Sequence, residues 1–147
     1  MEVWKEALRE VCSMAVLLWL AIQDKRHLGI SRLQLWIGAG ILLFAGSFCE
    51  CSRQVRLGGA AFGAVLFAFI YFSKEALGVA DGIMITACGI AFGLYEVVVL
   101  CFFASLYAGG YAVVLLLTKK AGRKSRIPFL PFLLLGYVTL RMGQRFL

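Results

Sequence analysis

Residues 97–118 read VVVLCFFASLYAGGYAVVLLLT, twenty-two in a row without a charge. A helix rises about 1.5 Å per residue, so this run reaches about 33 Å, enough to cross a hydrocarbon core of about 30 Å. Water is a poor solvent for such a helix and lipid a good one. Working outward, five more apolar runs accompany it, at about Leu8 to Gln23, Leu33 to Cys49, Leu57 to Ser73, Asp81 to Leu94 and Ile127 to Leu140. The fold class expected is therefore all-α: a polytopic membrane protein built as a six-transmembrane-helix bundle. The run that opens at Asp81 is too short to cross as a straight helix, so it is expected to begin below the membrane surface, inside protein.

Composition agrees. Hydrophobic residues make up 62% of the chain and the mean hydropathy is +0.89, against about 45–50% apolar residues in soluble domains. Six spans with short loops use nearly all of the 147 residues, which leaves a single domain, 1–147. The first run lacks a small-residue cleavage site and others follow it, so it reads as a retained span rather than a signal peptide.

The net charge of +7 belongs to loops that meet anionic lipid, and nucleic acid is excluded as a partner. With the spans numbered one to six, the side reached after spans one, three and five carries nine Lys and Arg and the other side six. Lys119 to Arg126 alone holds five cations in eight residues. The positive-inside rule puts that side in the cytoplasm and the N-terminus outside. The protein is thus expected to be a multi-pass protein of the inner (plasma) membrane.

Cys49-Glu50-Cys51 is a C-x-C, and His27 is the only histidine. Structural zinc usually needs four ligands, so no metal or other cofactor is expected, and the remaining cysteines read as small apolar residues. Met1 to Glu10 alternates acids and bases at helical spacing, as an interfacial start to span one. Gly59 with Gly63, and Gly89 with Gly93, are small-x-x-x-small pairs that allow close helix packing in lipid. Trp4, Trp19, Trp36, Tyr71, Tyr95 and Tyr137 fall near predicted span ends, as interfacial anchors do.

Among eight acids, Glu2, Glu6 and Glu10 lie in the amphipathic start, and Glu50, Glu75 and Glu96 in connecting segments. That leaves Asp24, which ends span one, and Asp81, which opens span four. Both fall at cytoplasmic helix ends. A carboxylate at membrane depth costs about 2.5–3.5 kcal/mol on insertion scales, and such residues are usually functional. Two carboxyls brought together hold one proton between them. One member can then take a proton from water while the other polarises a peptide carbonyl. The simpler alternatives are an Asp24 solvated beside Lys25 and Arg26, and an Asp81 that caps its helix.

The stretch Asp24-Lys25-Arg26-His27-Leu28-Gly29-Ile30-Ser31 resembles a signature of type IV prepilin peptidases, with Asp24, Arg26, Ile30 and Ser31 at matching positions. Gly78-Val79-Ala80-Asp81 is similar to the G-x-G-D motif that carries the family's second catalytic aspartate. Pro128-Phe129-Leu130-Pro131 is similar to a Pro-Phe-x-Pro segment opening the last helix. The similarity covers about Leu17 to Tyr137. It departs at Ala80, where the family has Gly, and at Ile83, where Lys is frequent. A left-handed turn at 80 would strain Ala.

The resemblance implies an aspartyl endopeptidase, peptidase-only, with Asp24 and Asp81 catalytic and with Gly78, Ala80, Arg26, Ile30, Pro128 and Pro131 supporting them. It implies cleavage of the leader of prepilin-like proteins at the cytoplasmic face, the substrate having a basic leader followed by an apolar helix. The alternative is a catalytically degenerate membrane protein serving as an assembly factor or small transporter subunit.

Overall fold

The computed structural model describes residues 2–27, 31–48, 50–73, 78–119 and 127–147. Six helices are present among them: α1 Glu2–His27, α2 Arg32–Ser47, α3 Arg53–Ser73, α4 Val79–Phe92, α5 Leu94–Leu117 and α6 Leu130–Phe146. Each coincides with one of the six apolar runs. Two of them, over Arg53–Phe72 and Leu94–Leu117, are long and apolar enough to cross a membrane, while α2 and α4 are shorter apolar helices.

Helix boundaries follow local chemistry. Ser31 caps α2 by accepting the Gln34 N–H at 3.3 Å. Gly93, at φ 94°, is the single residue separating α4 from α5. That left-handed conformation suits glycine and few others. Pro131 sits in the first turn of α6, where its missing N–H costs nothing.

α4 packs against α2, α3 and α5; α1 packs against α2 and α6; α5 also packs against α6 and α3. Helices α1, α2, α4, α5 and α6 therefore close a ring, with α3 outside it against α4 and α5. The ring's interior is filled by fully buried Leu17, Leu20, Leu42, Met84, Cys88, Leu100 and Leu133.

Backbones approach closely where glycine permits. A Cβ on Gly59 would collide with the Gly89 carbonyl, and one on Gly63 would lie 2.5 Å from Thr86 Cα. The small-residue spacing read from the sequence thus marks the α3–α4 seam. Outward faces of α3 and α5 stay apolar and exposed at Val65, Phe69, Phe102, Leu106 and Val113.

Two sequence expectations, at Glu96 and Tyr137, need correction. The amphipathic start runs without a break into span one: α1 is continuous from Glu2, with Arg9 and Ser13 buried in line with Leu17 and Leu20. Val3, Leu8, Val11, Leu18 and Ile22 form its exposed stripe. Glu96 is not in a connecting segment but lies in the first turn of α5. Tyr137 is no interfacial anchor. It is fully buried, with its ring 5.4 Å from that of Phe92.

Candidate active site

Asp24 lies in the last turn of α1, three residues from its end. The helix dipole disfavours a negative charge there. What meets it is the start of α6: the backbone N–H of Leu130, the first residue of that helix, interacts with the Asp24 carboxylate. An N–H at that position has no partner within its own helix, so the first turn of α6 supplies the donor that α1 cannot. Asp24 Oδ2 is enclosed and has no hydrogen-bond partner among the described residues.

Asp81 is buried in the first turn of α4. It is not the cap itself, as one sequence alternative had it. Gly78 occupies the cap, and Asp81 stands three residues on. Its Oδ2 accepts the Gly78 N–H at 3.1 Å, and its own N–H donates to the Gly78 carbonyl at 3.0 Å. The carboxylate therefore does some capping work, and its charge suits a helix N-terminus. Ala80 lies within α4, and the left-handed conformation occurs at no described residue other than Lys119 and Gly93. The strain foreseen for Ala80 is absent. Ile83 is partly buried against the core, so the position holding Lys elsewhere serves packing here.

Among the described residues α1 and α4 share no extensive packing; they face across the ring, bridged by α2 on one side and by α5 and α6 on the other. Asp24 and Asp81 sit at the same end of that ring and their charges act on one another. No Lys or Arg side chain forms an ion pair with either aspartate among the described residues. Two acids thus share an environment in which backbone N–H groups are the donors, an arrangement suited to sharing a proton and activating water.

The other expected positions are less informative. Arg26 is exposed in the last turn of α1, Pro128 precedes α6 and Pro131 lies in its first turn. Ile30 lies outside the described residues, as do Cys49, Glu75 and the segment 120–126.

A second polar cluster, unforeseen from the sequence, sits at the opposite end of the ring. Arg141 of α6 is buried; it bonds Glu96 of α5 at 3.0 Å and Gln144 at 2.7 Å, and lies 3.9 Å from Glu10 of α1. Arg145 reaches Glu10 at 3.5 Å. The Arg141 guanidinium also lies over the rings of Tyr137 and Phe92, 5.2 and 5.7 Å from their centroids, favourable for a cation. The signal available in the sequence was Arg141 inside an otherwise apolar helix, opposite acids at 10 and 96.

A family model described as the type IV leader peptidase family matches residues 11–113. The matched stretch includes Asp24 and Asp81 and ends before α6. No curated protein and no solved structure matches.

Proposed function

We propose that this chain, which belongs to the type IV leader peptidase family, is an intramembrane aspartyl endopeptidase that removes the leader from prepilin-like proteins. The family is one of membrane-associated, aspartic-type peptidases. The observation that supports the assignment to residues is the pair Asp24 and Asp81, two mutually interacting acids at one end of the ring with no ion pair to a cationic side chain among the described residues.

In this reading the pair holds one proton. The ionised member takes a proton from water as the oxygen adds to the scissile carbonyl carbon. The protonated member hydrogen-bonds the carbonyl oxygen as charge develops there. Collapse of the tetrahedral intermediate breaks the C–N bond, and the leaving amine takes up a proton from the pair. The Leu130 and Gly78 N–H groups hold the two carboxylates in place.

All six helices cross the membrane in this reading, with the aspartates at the cytoplasmic side. A substrate's apolar helix lies among the spans and its leader extends into the cytoplasm. A cysteine placed at Ser125, in a background free of other cysteines, then resists membrane-impermeant labelling in intact cells; ready labelling reverses the orientation.

The deciding experiment is cleavage of a co-expressed prepilin by the wild type and by Asp24→Asn and Asp81→Asn. Wild-type cleavage lost in both variants supports the reading. Cleavage retained in both removes the catalytic pair, and a wild type inert against several prepilins favours a degenerate assembly factor.

A further inference from the structure

Four glycines stand in or beside α4, and the fold explains three of them. A Cβ on Gly82 would meet the Phe67 ring at 2.6 Å, one on Gly89 would run into the Gly59 backbone, and Gly93 has φ 94°. Gly78 is different. Its φ of −73° and ψ of 151° are open to any residue, and it is exposed. Among the described residues, an added Cβ would meet Asp81 Oδ2 at 3.4 Å and the Ala80 nitrogen at 4.0 Å. As a cap, glycine ranks below serine, asparagine and aspartate, whose side chains accept a first-turn N–H. Neither conformation, packing nor capping accounts for glycine at this position. Its missing side chain leaves clear one face of the carboxyl of Asp81, which is otherwise buried.

We infer that Gly78 is a substrate-contacting residue: the main chain of the peptide to be cut passes over its bare α-carbon as the scissile carbonyl reaches Asp81. The inference rests on the peptidase reading above. Hydrolysis needs a carbonyl whose carbon and oxygen are both reachable, and inside a helix the oxygen is taken by the N–H four residues on. The segment at the cut is therefore extended when it meets the aspartates. Backbone approaches backbone closely where no side chain intervenes, which is one use of glycine. The polar groups of Gly78 are already committed. Its carbonyl accepts the N–H groups of Asp81 and Gly82 at 3.0 and 3.4 Å, and its own N–H donates to Asp81 Oδ2 at 3.1 Å. What Gly78 offers a substrate is contact and clearance rather than a strand edge to pair with, so it selects by shape.

The test compares wild type, Gly78→Ala, Gly78→Ser and Asp81→Asn, each as the full chain in lipid vesicles with a purified prepilin. Alanine and serine both suit the backbone at 78 and keep the N–H that Asp81 accepts. They rank oppositely under the two roles. If residue 78 serves only as a cap, serine matches or exceeds glycine and alanine is poorest. If substrate passes over it, the loss follows size, and serine is slower than alanine. The expected fall in kcat/KM is about tenfold for Gly78→Ala and about 10²-fold for Gly78→Ser, the latter being what a misplacement of about 1 Å can cost. Thermal unfolding in detergent ranks serine above alanine, the reverse of activity, whereas a purely structural role moves the two together. In Gly78→Ala the pH profile of kcat/KM keeps its limbs, because the donor to Asp81 is untouched. Activity that follows capping strength, or equal activity at all three residues, overturns the inference and leaves the peptidase standing when Asp81→Asn is inactive. A displaced pH profile in Gly78→Ala means that the methyl acts on Asp81 rather than on substrate, and overturns it as well. Cleavage undiminished in Asp81→Asn, or absent in wild type, removes the peptidase reading and this inference with it.

Discussion

The two ends of the helix ring solve the same electrostatic problem in opposite ways. At one end Glu10 and Glu96 each face a guanidinium, and Arg141 fastens α1, α5 and α6 in a buried network. At the other, Asp24 and Asp81 lie close enough for their charges to interact, and the donors that reach them are backbone N–H groups of α6 and α4. Pairing an acid with an arginine fixes its charge and its position, which serves structure. Pairing an acid with another acid leaves a mobile proton, which serves chemistry. On the function proposed above, the difference separates a tether from a candidate reaction centre.

The largest expected effect breaks the reactive end. Asp81→Asn should lower the cleavage rate by about 10²–10⁴-fold, the range for losing an acid–base group. Fold should be spared, because the amide oxygen of Asn can still accept the Gly78 N–H that Asp81 Oδ2 accepts now. The measurement is cleavage rate beside thermal unfolding in detergent. A variant that loses activity only in proportion to its loss of folded protein would reduce Asp81 to a capping residue.

The tethered end should respond the other way. Arg141→Leu strands Glu96, which Arg141 now holds at 3.0 Å, while Glu10 keeps Arg145 at 3.5 Å, and breaking a buried pair typically costs about 3–5 kcal/mol. The triple change Arg141→Met, Glu10→Gln, Glu96→Gln removes the charges together and should cost less than Arg141→Leu alone. Detergent unfolding of the two variants checks this. A triple variant less stable than the single one would mean that the network gives net stability rather than merely avoiding stranded charge. Cleavage per folded molecule should be close to wild type in both, since the network is at the far end of the ring from the aspartates.

Much of this was legible in the sequence. Hydropathy located all six helices because the period and length of apolar runs are local properties. The glycine pairs marked the α3–α4 seam because in lipid close approach needs small residues. Asp24 and Asp81 stood out because acids are scarce in such a chain. What remained hidden was three-dimensional pairing. Nothing local says that Leu130 would aim its N–H at a carboxylate more than a hundred residues earlier, or that Glu96 would meet Arg141 across two helices. Tyr137 was misread because an aromatic with a polar tip looks the same at an interface and in a buried cluster.

The α3–α4 seam should be the next most sensitive element. A Cβ at Gly89 would drive into the Gly59 backbone, so Gly89→Ala forces the helices apart and should cost about 1–3 kcal/mol, the usual range for overpacking. Because α4 carries Asp81, activity should fall together with stability. Gly109→Ala in α5, where nothing lies within 4 Å of an added Cβ, is the matched control. It should be neutral or slightly stabilising, since alanine is the better helix former.

The smallest effect tests whether the family's second motif glycine is missed here. Ala80 lies in the first turn of α4 with ordinary helical backbone, so no left-handed turn waits for glycine to relieve it. Ala80→Gly should therefore leave the cleavage rate within about twofold and lower stability by up to about 1 kcal/mol, the helix-propensity difference between the two residues. A rise in activity beyond that would mean that Ala80 obstructs substrate approach to Asp81. The comparison between the ends would then need a steric component at the reactive one, where a methyl group rather than charge limits turnover.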